Sequence, residues 1–263
     1  SNALWTISFG YLMNLTIPRS GEVARSTALY GVENVPVDKS FGTIILERVV
    51  DLVCMGFFLL LTFIFKYDAI VSFFQYVTAQ NANEPKADSG NKLYLLMGAF
   101  VGLGVLFFAF RKYLTKYSIY QKAINFTKGI FHGLTSIFKL KQKLKFIVLS
   151  LAIWICYYFA AYLVCFALPE TSEFSFADGF FIIVVGTLGM MVPASGGIGA
   201  FHFALKLGIM ALFLSMGKNP EEGGEVGLSY AFISHTMQLV IMIVMGVISI
   251  PVLAKERGRL LSK

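Results

Sequence analysis

Three arginines and three carboxylates stand in two short motifs set in apolar sequence: Arg19, Glu22 and Arg25, then Glu47, Arg48 and Asp51. A charge deep in hydrocarbon is costly and persists when it is paired or used. Glu47 and Asp51 are four residues apart and Arg48 is three from Asp51, so one helix holds all three on neighbouring faces. With a rise of about 1.5 Å per residue, Asp51 falls roughly 17 Å beyond Lys39, close to a bilayer midplane. Two chemistries are open to such a group. The six charges cancel, so they can close into a salt network that only holds helices together. Alternatively, an arginine exchanges its carboxylate for a phosphate, whose oxygens a planar guanidinium fork fits two at a time.

A second feature lies beside the first motif. Pro-x-Ser-Gly occurs twice, as Pro18-Arg19-Ser20-Gly21 and as Pro193-Ala194-Ser195-Gly196, the latter continuing through Gly197 and Gly199. Proline lacks an N–H and favours a helix break, and glycine lets another backbone or a ligand approach closely. Helices starting at Ser20 and Ser195 would aim free N–H groups, the positive dipole end, into the membrane, where such ends accept anions. Tight packing of two helix tips with no ligand is the other reading. After the second break come His202, then His235 and Gln238, which suit hydrogen-bonded packing better than a proton relay. Lys206 is also intramembrane, with a stem long enough to snorkel.

Signals for catalysis or a cofactor are weak. Ser195-Gly196-Gly197-Ile198-Gly199 lacks the Lys-Ser/Thr of a phosphate-binding loop, and no nucleophile elbow or zinc-binding His motif occurs. Cys54, Cys156 and Cys165 have neither metal-ligand nor disulfide spacing and read as small buried hydrophobes. No enzyme activity, metal or cofactor is expected.

The elements that must position these residues follow from composition. The 263 residues are 57% hydrophobic and 14% charged, with mean hydropathy +0.71. That excludes an ordinary soluble domain and predicts an all-α, polytopic membrane protein. Spans are expected at 41–65, 93–110, 146–168 and 227–253, and shorter apolar runs at 4–17, 176–192 and 198–216. Residues 20–30 read as a short helix with Ser20 as its cap, 31–39 as a polar connector and 217–226 as a loop. From Arg111 to Lys145 there are nine Lys/Arg and no acid, and the carboxyl end adds Lys255, Arg257, Arg259 and Lys263. Both regions are expected on the cytoplasmic side, beside anionic lipid heads. A nucleic-acid partner is a poor reading, because the basic segment is wedged between spans.

Counting crossings from that assignment gives opposite orientations to the two halves. After Pro18 the chain emerges inside and crosses outward through 41–65. After Pro193 it emerges outside and crosses inward through 227–253. One transmembrane domain, 1–263, is therefore expected to hold two re-entrant helical hairpins, 4–30 and 176–216, as an inverted-topology repeat. Half one is 1–80 and half two 93–253, with the breaks 175 residues apart (193 minus 18). Half one lacks partners for two spans, so missing amino-terminal spans are expected, and Ser1-Asn2-Ala3 reads as a cloning scar or as native residues.

These residues resemble the transmembrane family named after lysylphosphatidylglycerol synthase, the flippase-type membrane domain of the multiple peptide resistance factor. The matching elements are Asn14, Pro18-Arg19-x-Gly21-Glu22-x-x-Arg25, Glu47-Arg48-x-x-Asp51 and Pro193-x-x-Gly196-Gly197-x-Gly199. The resemblance implies a helical bundle with re-entrant hairpins that moves or handles phospholipid or polyprenyl-linked lipid. Family members often carry a Glu soon after the Gly-rich break, where this chain has His202, so a role resting on that acid does not carry over. Ten residues follow Leu253, too few for the synthase's aminoacyl-transferase domain. The expectation is a bacterial inner-membrane translocase for a phosphate-bearing lipid head group, with Arg19, Arg25 and Arg48 on phosphate and Glu22, Glu47 and Asp51 orienting them. The alternatives are an accessory subunit that presents lipid to an envelope biosynthetic enzyme, and a membrane-embedded lipid-modifying enzyme.

Overall fold

The computed structural model describes residues 2–81, 137, 140–192 and 194–262. The expected span at 93–110, most of the basic segment, His132 and Pro193 lie outside those residues. Eight α-helices and no strand occur among the described residues: α1 (Asn2–Thr16), α2 (Gly21–Glu33), α3 (Val37–Phe65), α4 (Tyr67–Asn81), α5 (Lys143–Tyr162), α6 (Phe176–Met191), α7 (Ala200–Ser215) and α8 (Pro220–Leu261). A 3-10 stretch, Leu163–Ala167, prolongs α5, and a single 3-10 turn, Ser195–Gly197, stands between α6 and α7.

Four segments are long and apolar enough to cross a bilayer: Val37–Phe65, Lys143–Ala167, Ser195–Ser215 and Pro220–Leu261. At about 1.5 Å per residue, the 15 residues of α1 and the 16 of α6 fall short of a hydrocarbon core of about 30 Å. Several boundaries differ from expectation. Asn34, in the left-handed region at φ 54°, ends α2 with its N–H on the Tyr30 carbonyl, and α3 starts at Val37 behind Pro36. The expected ten-residue loop before the last span shrinks as well. Asn219 accepts from the Glu221 N–H at 2.9 Å and Pro220 takes the first helical position, where its missing N–H costs nothing. The resulting 42-residue helix carries Glu221 and Glu222 in its first turn and Arg259 in its last, complementing both dipole ends.

Packing is reciprocal. α1 lies against α2 and α8, while α6 lies against α7 and α3; α2 also packs on α3, and α7 on α8. Lipid supplies no hydrophobic drive between helices, so close backbone approach through small residues must hold them. A Cβ placed on Gly189 of α6 would sit 2.8 Å from Ala204 Cβ and 3.0 Å from Phe201 Cα. One placed on Gly227 of α8 would meet the Leu205 carbonyl oxygen at 2.7 Å and Lys206 Cα at 2.9 Å. Around these seams lie Phe181, Phe201, Leu205, Ile209, Leu212, Phe213 and Tyr230, all buried. A second cluster of Cys54, Phe58, Trp154, Tyr158, Ile183 and Val184 joins α3, α5 and α6. Cys54 and Cys165 are buried as expected; Cys156 instead is exposed, among the outward aliphatic side chains of α5.

An ion pair that sequence reading passed over fixes α3 to α6. Lys66, directly after α3, places Nζ 2.5 Å from Asp178 Oδ1, and Asp178 is 1% exposed. The other oxygen, Oδ2, accepts from the Ser175 N–H at 2.8 Å and the Ser175 hydroxyl at 2.6 Å, forming a capping box on α6. The ammonium thus sits at a helix carboxyl end and the carboxylate at a helix amino end, each opposite the favourable dipole pole.

The seam geometry makes a prediction. Gly227→Val should destabilise the chain by about 1–3 kcal/mol through overpacking, read as a lower unfolding midpoint in detergent. Gly258→Ala, whose Cβ would enter open space, should change stability by no more than about 0.5 kcal/mol.

Candidate functional site

The charged motifs converge where α2 lies on α3. Arg25 and Glu47 meet fork to fork, Nη1 to Oε2 at 2.7 Å and Nη2 to Oε1 at 3.1 Å, both partly shielded. This pair spends both oxygens of Glu47 and one edge of the Arg25 guanidinium. Arg48 is held differently. Its Nε is 3.5 Å from Glu22 Oε1, its Nη1 is 3.3 Å from Asp51 Oδ2, and its side chain is 60% exposed. Long, solvated ion pairs of this kind contribute little stability and exchange readily. Asp51 is nonetheless fixed, because Trp154 of α5 donates its indole N–H to Oδ1 at 3.1 Å. The buried indole stacks on Phe58 with ring centroids 5.5 Å apart. Beside them the Tyr157 phenol interacts with Tyr11 of α1, within electrostatic reach of Asp51 and Arg48.

The first break is closed by side chains from its own flank. Ser20 does not cap α2 as expected; its hydroxyl turns back to donate to the carbonyls of Met13 at 2.9 Å and Ile17 at 2.8 Å. Asn14 takes over the cap, its Oδ1 accepting from the Gly21 N–H at 2.7 Å. The two helices are so close here that a Cβ on Gly10 would lie 2.8 Å from the Gly21 carbonyl oxygen. Pro18 and Arg19 form the exposed turn, with Arg19 at φ 62°. Arg19 makes no ion pair among the described residues, and its Nη2 donates across to the Met191 carbonyl at 3.2 Å.

That bond joins the two breaks. Met191 ends α6, and the chain then passes through the Ser195–Gly197 turn, where Gly196, Gly197 and Gly199 have φ of 61°, 78° and 84°. L side chains adopt this left-handed region only under strain, so the path into α7 requires glycine. α7 accordingly starts at Ala200, later than the expected Ser195. Leu15 of α1 fills the space over Gly196. Behind the turn, His235 places Nε2 2.8 Å from the Gly196 carbonyl oxygen, and the His202 ring is 5.0 Å from the His235 ring. Gln238 is exposed and joins neither group.

The structure therefore brings Arg19 and Leu15 of the first break to Met191 and Gly196 of the second, leaves Pro18 and Gly21 within the first turn and Ser195, Gly197 and Gly199 within the second, and sets Arg25–Glu47 and Glu22–Arg48–Asp51 side by side between α2 and α3. Asn14 and Trp154 are polar groups of the site to which the charge motifs did not point, and the Lys66–Asp178 pair, at the other end of α3, was passed over as well. Trp154 had a signal, since an indole N–H inside an uncharged span needs an acceptor. Lys66 and Asp178 had none beyond the Ser175-x-x-Asp178 cap spacing.

The family described as the lysylphosphatidylglycerol synthase TM region matches residues 1–255, and the chain belongs to that family. It is a multi-pass membrane protein with a lipid-related function. No curated protein and no solved structure matches it.

The contrast between the two arginines can be measured. Arg25→Ala, which strands the partly buried Glu47, should cost about 1–3 kcal/mol, and Arg48→Ala less than about 1 kcal/mol. Unfolding midpoints in detergent check both, and equal losses would contradict this division between a clamp and an exchangeable cation.

Proposed function

We propose that this chain is a bacterial cytoplasmic-membrane translocase for a phosphate-bearing lipid head group, not an enzyme. On this reading α1–α2 and α6–α7 are re-entrant hairpins of an inverted repeat, with the carboxyl end and residues 111–145 facing the cytoplasm. Reciprocal packing supports the repeat. The first arm of each hairpin lies on the long span of the other half, α1 on α8 and α6 on α3, as a two-fold relation between halves requires. The lengths of α1 and α6 support re-entrance, and so does the contact between the two breaks.

The observation that carries the reading is the loosely held, exposed Arg48 beside the tightly clamped Arg25. Arg48 can leave Glu22 and Asp51 for a phosphate without stranding a buried charge, because both acids are themselves exposed or anchored. Trp154 keeps Asp51 in place while the guanidinium moves. Arg19 offers a second cation with no acid to displace. Arg25, which the sequence pattern grouped with the phosphate contacts, serves instead to brace α2 on α3. Alternating access to this cluster from the two sides would carry the head group across while the acyl chains stay in lipid.

Transbilayer movement of a labelled phospholipid in proteoliposomes tests this. Arg19→Ala and Arg48→Ala should each slow movement by about tenfold or more, the worth of a hydrogen bond to a charged group. Wild-type rates in both would remove the site assignment. An inactive wild-type chain that co-purifies with an envelope biosynthetic enzyme would instead favour the accessory-subunit reading.

A further inference from the structure

At the middle of α8 one residue has an inward position and an open environment. Ala231, Ser234, His235, Gly246, Ser249 and Leu253 are buried along this helix. Gln238 follows Ala231 by seven residues and His235 by three, and precedes Ser249 by eleven, so helical periodicity sets it on the same inward stripe. It is nevertheless exposed, and its carboxamide makes no hydrogen bond among the described residues. No Asp, Glu, Lys or Arg lies between Glu225 and Lys255, and Gln238 is close to the centre of that apolar length. An amide there is expensive unless a partner meets it.

The neighbours of Gln238 explain why the stripe opens here. On its amino side His235 reaches the Gly196 carbonyl. On its carboxyl side a Cβ on Gly246 would meet Leu12 Cβ of α1 at 2.5 Å. The two hairpins thus cover α8 on either side of Gln238 and leave it bare where their tips end. α1 runs opposite to this part of α8: Leu12 lies at Gly246, while Leu15 shares Gly196 with Leu239, at 2.8 and 3.6 Å from a Cβ placed there. The first tip therefore ends near the level of Gln238, and there Arg19 donates to the Met191 carbonyl. One opening between the breaks receives a guanidinium from the first half and a free carboxamide from the second.

We infer that Gln238 determines head-group specificity: its carboxamide hydrogen-bonds a hydroxyl of the same head group whose phosphate Arg19 takes. The inference rests on the proposed phosphate site and adds what lies beyond the phosphate. A carboxamide offers N–H donors and an accepting oxygen. A hydroxyl both donates and accepts, so a polyol satisfies both ends of the amide. An ammonium would pair only with the oxygen and a second phosphate only with the N–H groups, and neither charge finds a counter-ion on this length of α8. The ligand chemistry is therefore a phosphodiester bearing hydroxyls, supplied by glycerol or by a sugar.

Binding of labelled lipids to the full chain in detergent isolates the hydroxyls. Phosphatidylglycerol and phosphatidylpropanol share acyl chains, phosphodiester and carbon count and differ only in hydroxyls. A hexosyl-phosphoryl polyprenol and a propyl-phosphoryl polyprenol form the second pair. The hydroxylated member of at least one pair should bind about three- to tenfold more tightly, the worth of one neutral hydrogen bond, and the pair that discriminates tells glycerol from sugar. Gln238→Leu should bring that pair to equal affinity and Gln238→Asn should keep part of the preference, both with unfolding midpoints no lower than wild type. Equal affinities in both wild-type pairs, a preference that survives Gln238→Leu, or a lowered midpoint that marks the amide as structural would overturn the assignment. Lipid movement in proteoliposomes without any hydroxyl preference removes Gln238 from the site and keeps the translocase reading. A Gln238-dependent preference in a chain that moves no lipid keeps the assignment and removes that reading, and a chain that binds none of the four lipids removes both.

Discussion

Backbone polar groups freed at a helix break have no water to turn to inside a bilayer, and each left unsatisfied costs several kcal/mol. Much of the described polar architecture answers that constraint. At the first break Asn14 takes the Gly21 amide and Ser20 covers two carbonyls at the end of α1. At the second, His235 takes the Gly196 oxygen. The last carbonyl of α6, Met191, is served from the other half of the chain by Arg19. Two interrupted helices are thereby made tolerable by side chains that would otherwise be expensive to bury.

Electrostatics then divides the remaining charges by how they are held. Lys66–Asp178 and Arg25–Glu47 are short and shielded, and each joins neighbouring helices: α3 to α6 and α2 to α3. Arg48 lies between two carboxylates at longer range and in the open. A shielded pair that loses one member leaves a stranded charge, so the first two are costly to open and Arg48 is the cation most easily freed. Where α2 meets α3, two arginines face three carboxylates, and the members are not equivalent: they differ in distance and exposure rather than in residue type.

That difference marks the limit of what sequence reveals. Hydropathy, the two proline breaks and the i, i+3 and i, i+4 spacing of Glu47, Arg48 and Asp51 made the helices and the charged cluster legible, because each depends on local periodicity alone. Which arginine meets which acid depends on the angle between α2 and α3, so Arg25 could not be separated from Arg48. Trp154 and Asp51 are 103 residues apart, and no spacing rule connects them. The Ser20 cap failed for a local reason: its backbone is already helical and its hydroxyl is spent on the Met13 and Ile17 carbonyls, which leaves the Gly21 amide to Asn14, seven residues back. The last helix ran longer than hydropathy suggested because its amino end is polar and glycine-rich, and is held by the Asn219 cap and by glycine contacts with α7.

Arg19 shows how closely the two halves depend on each other. A non-glycine residue in the left-handed region costs of order 1–3 kcal/mol, and glycine at this turn would avoid that cost. Glycine, however, would leave the Met191 carbonyl without its donor and the space between the breaks without a cation. Within each half the helices meet through glycine seams with no room for a Cβ. Between the breaks they meet through Arg19's single hydrogen bond and the Leu15–Gly196 packing. The strong contacts thus lie on either side of the breaks and the weak, polar one at their meeting point. On the proposed function, that point is where a phosphate would compete with a backbone carbonyl for the same guanidinium while the rest of the fold stays as it is.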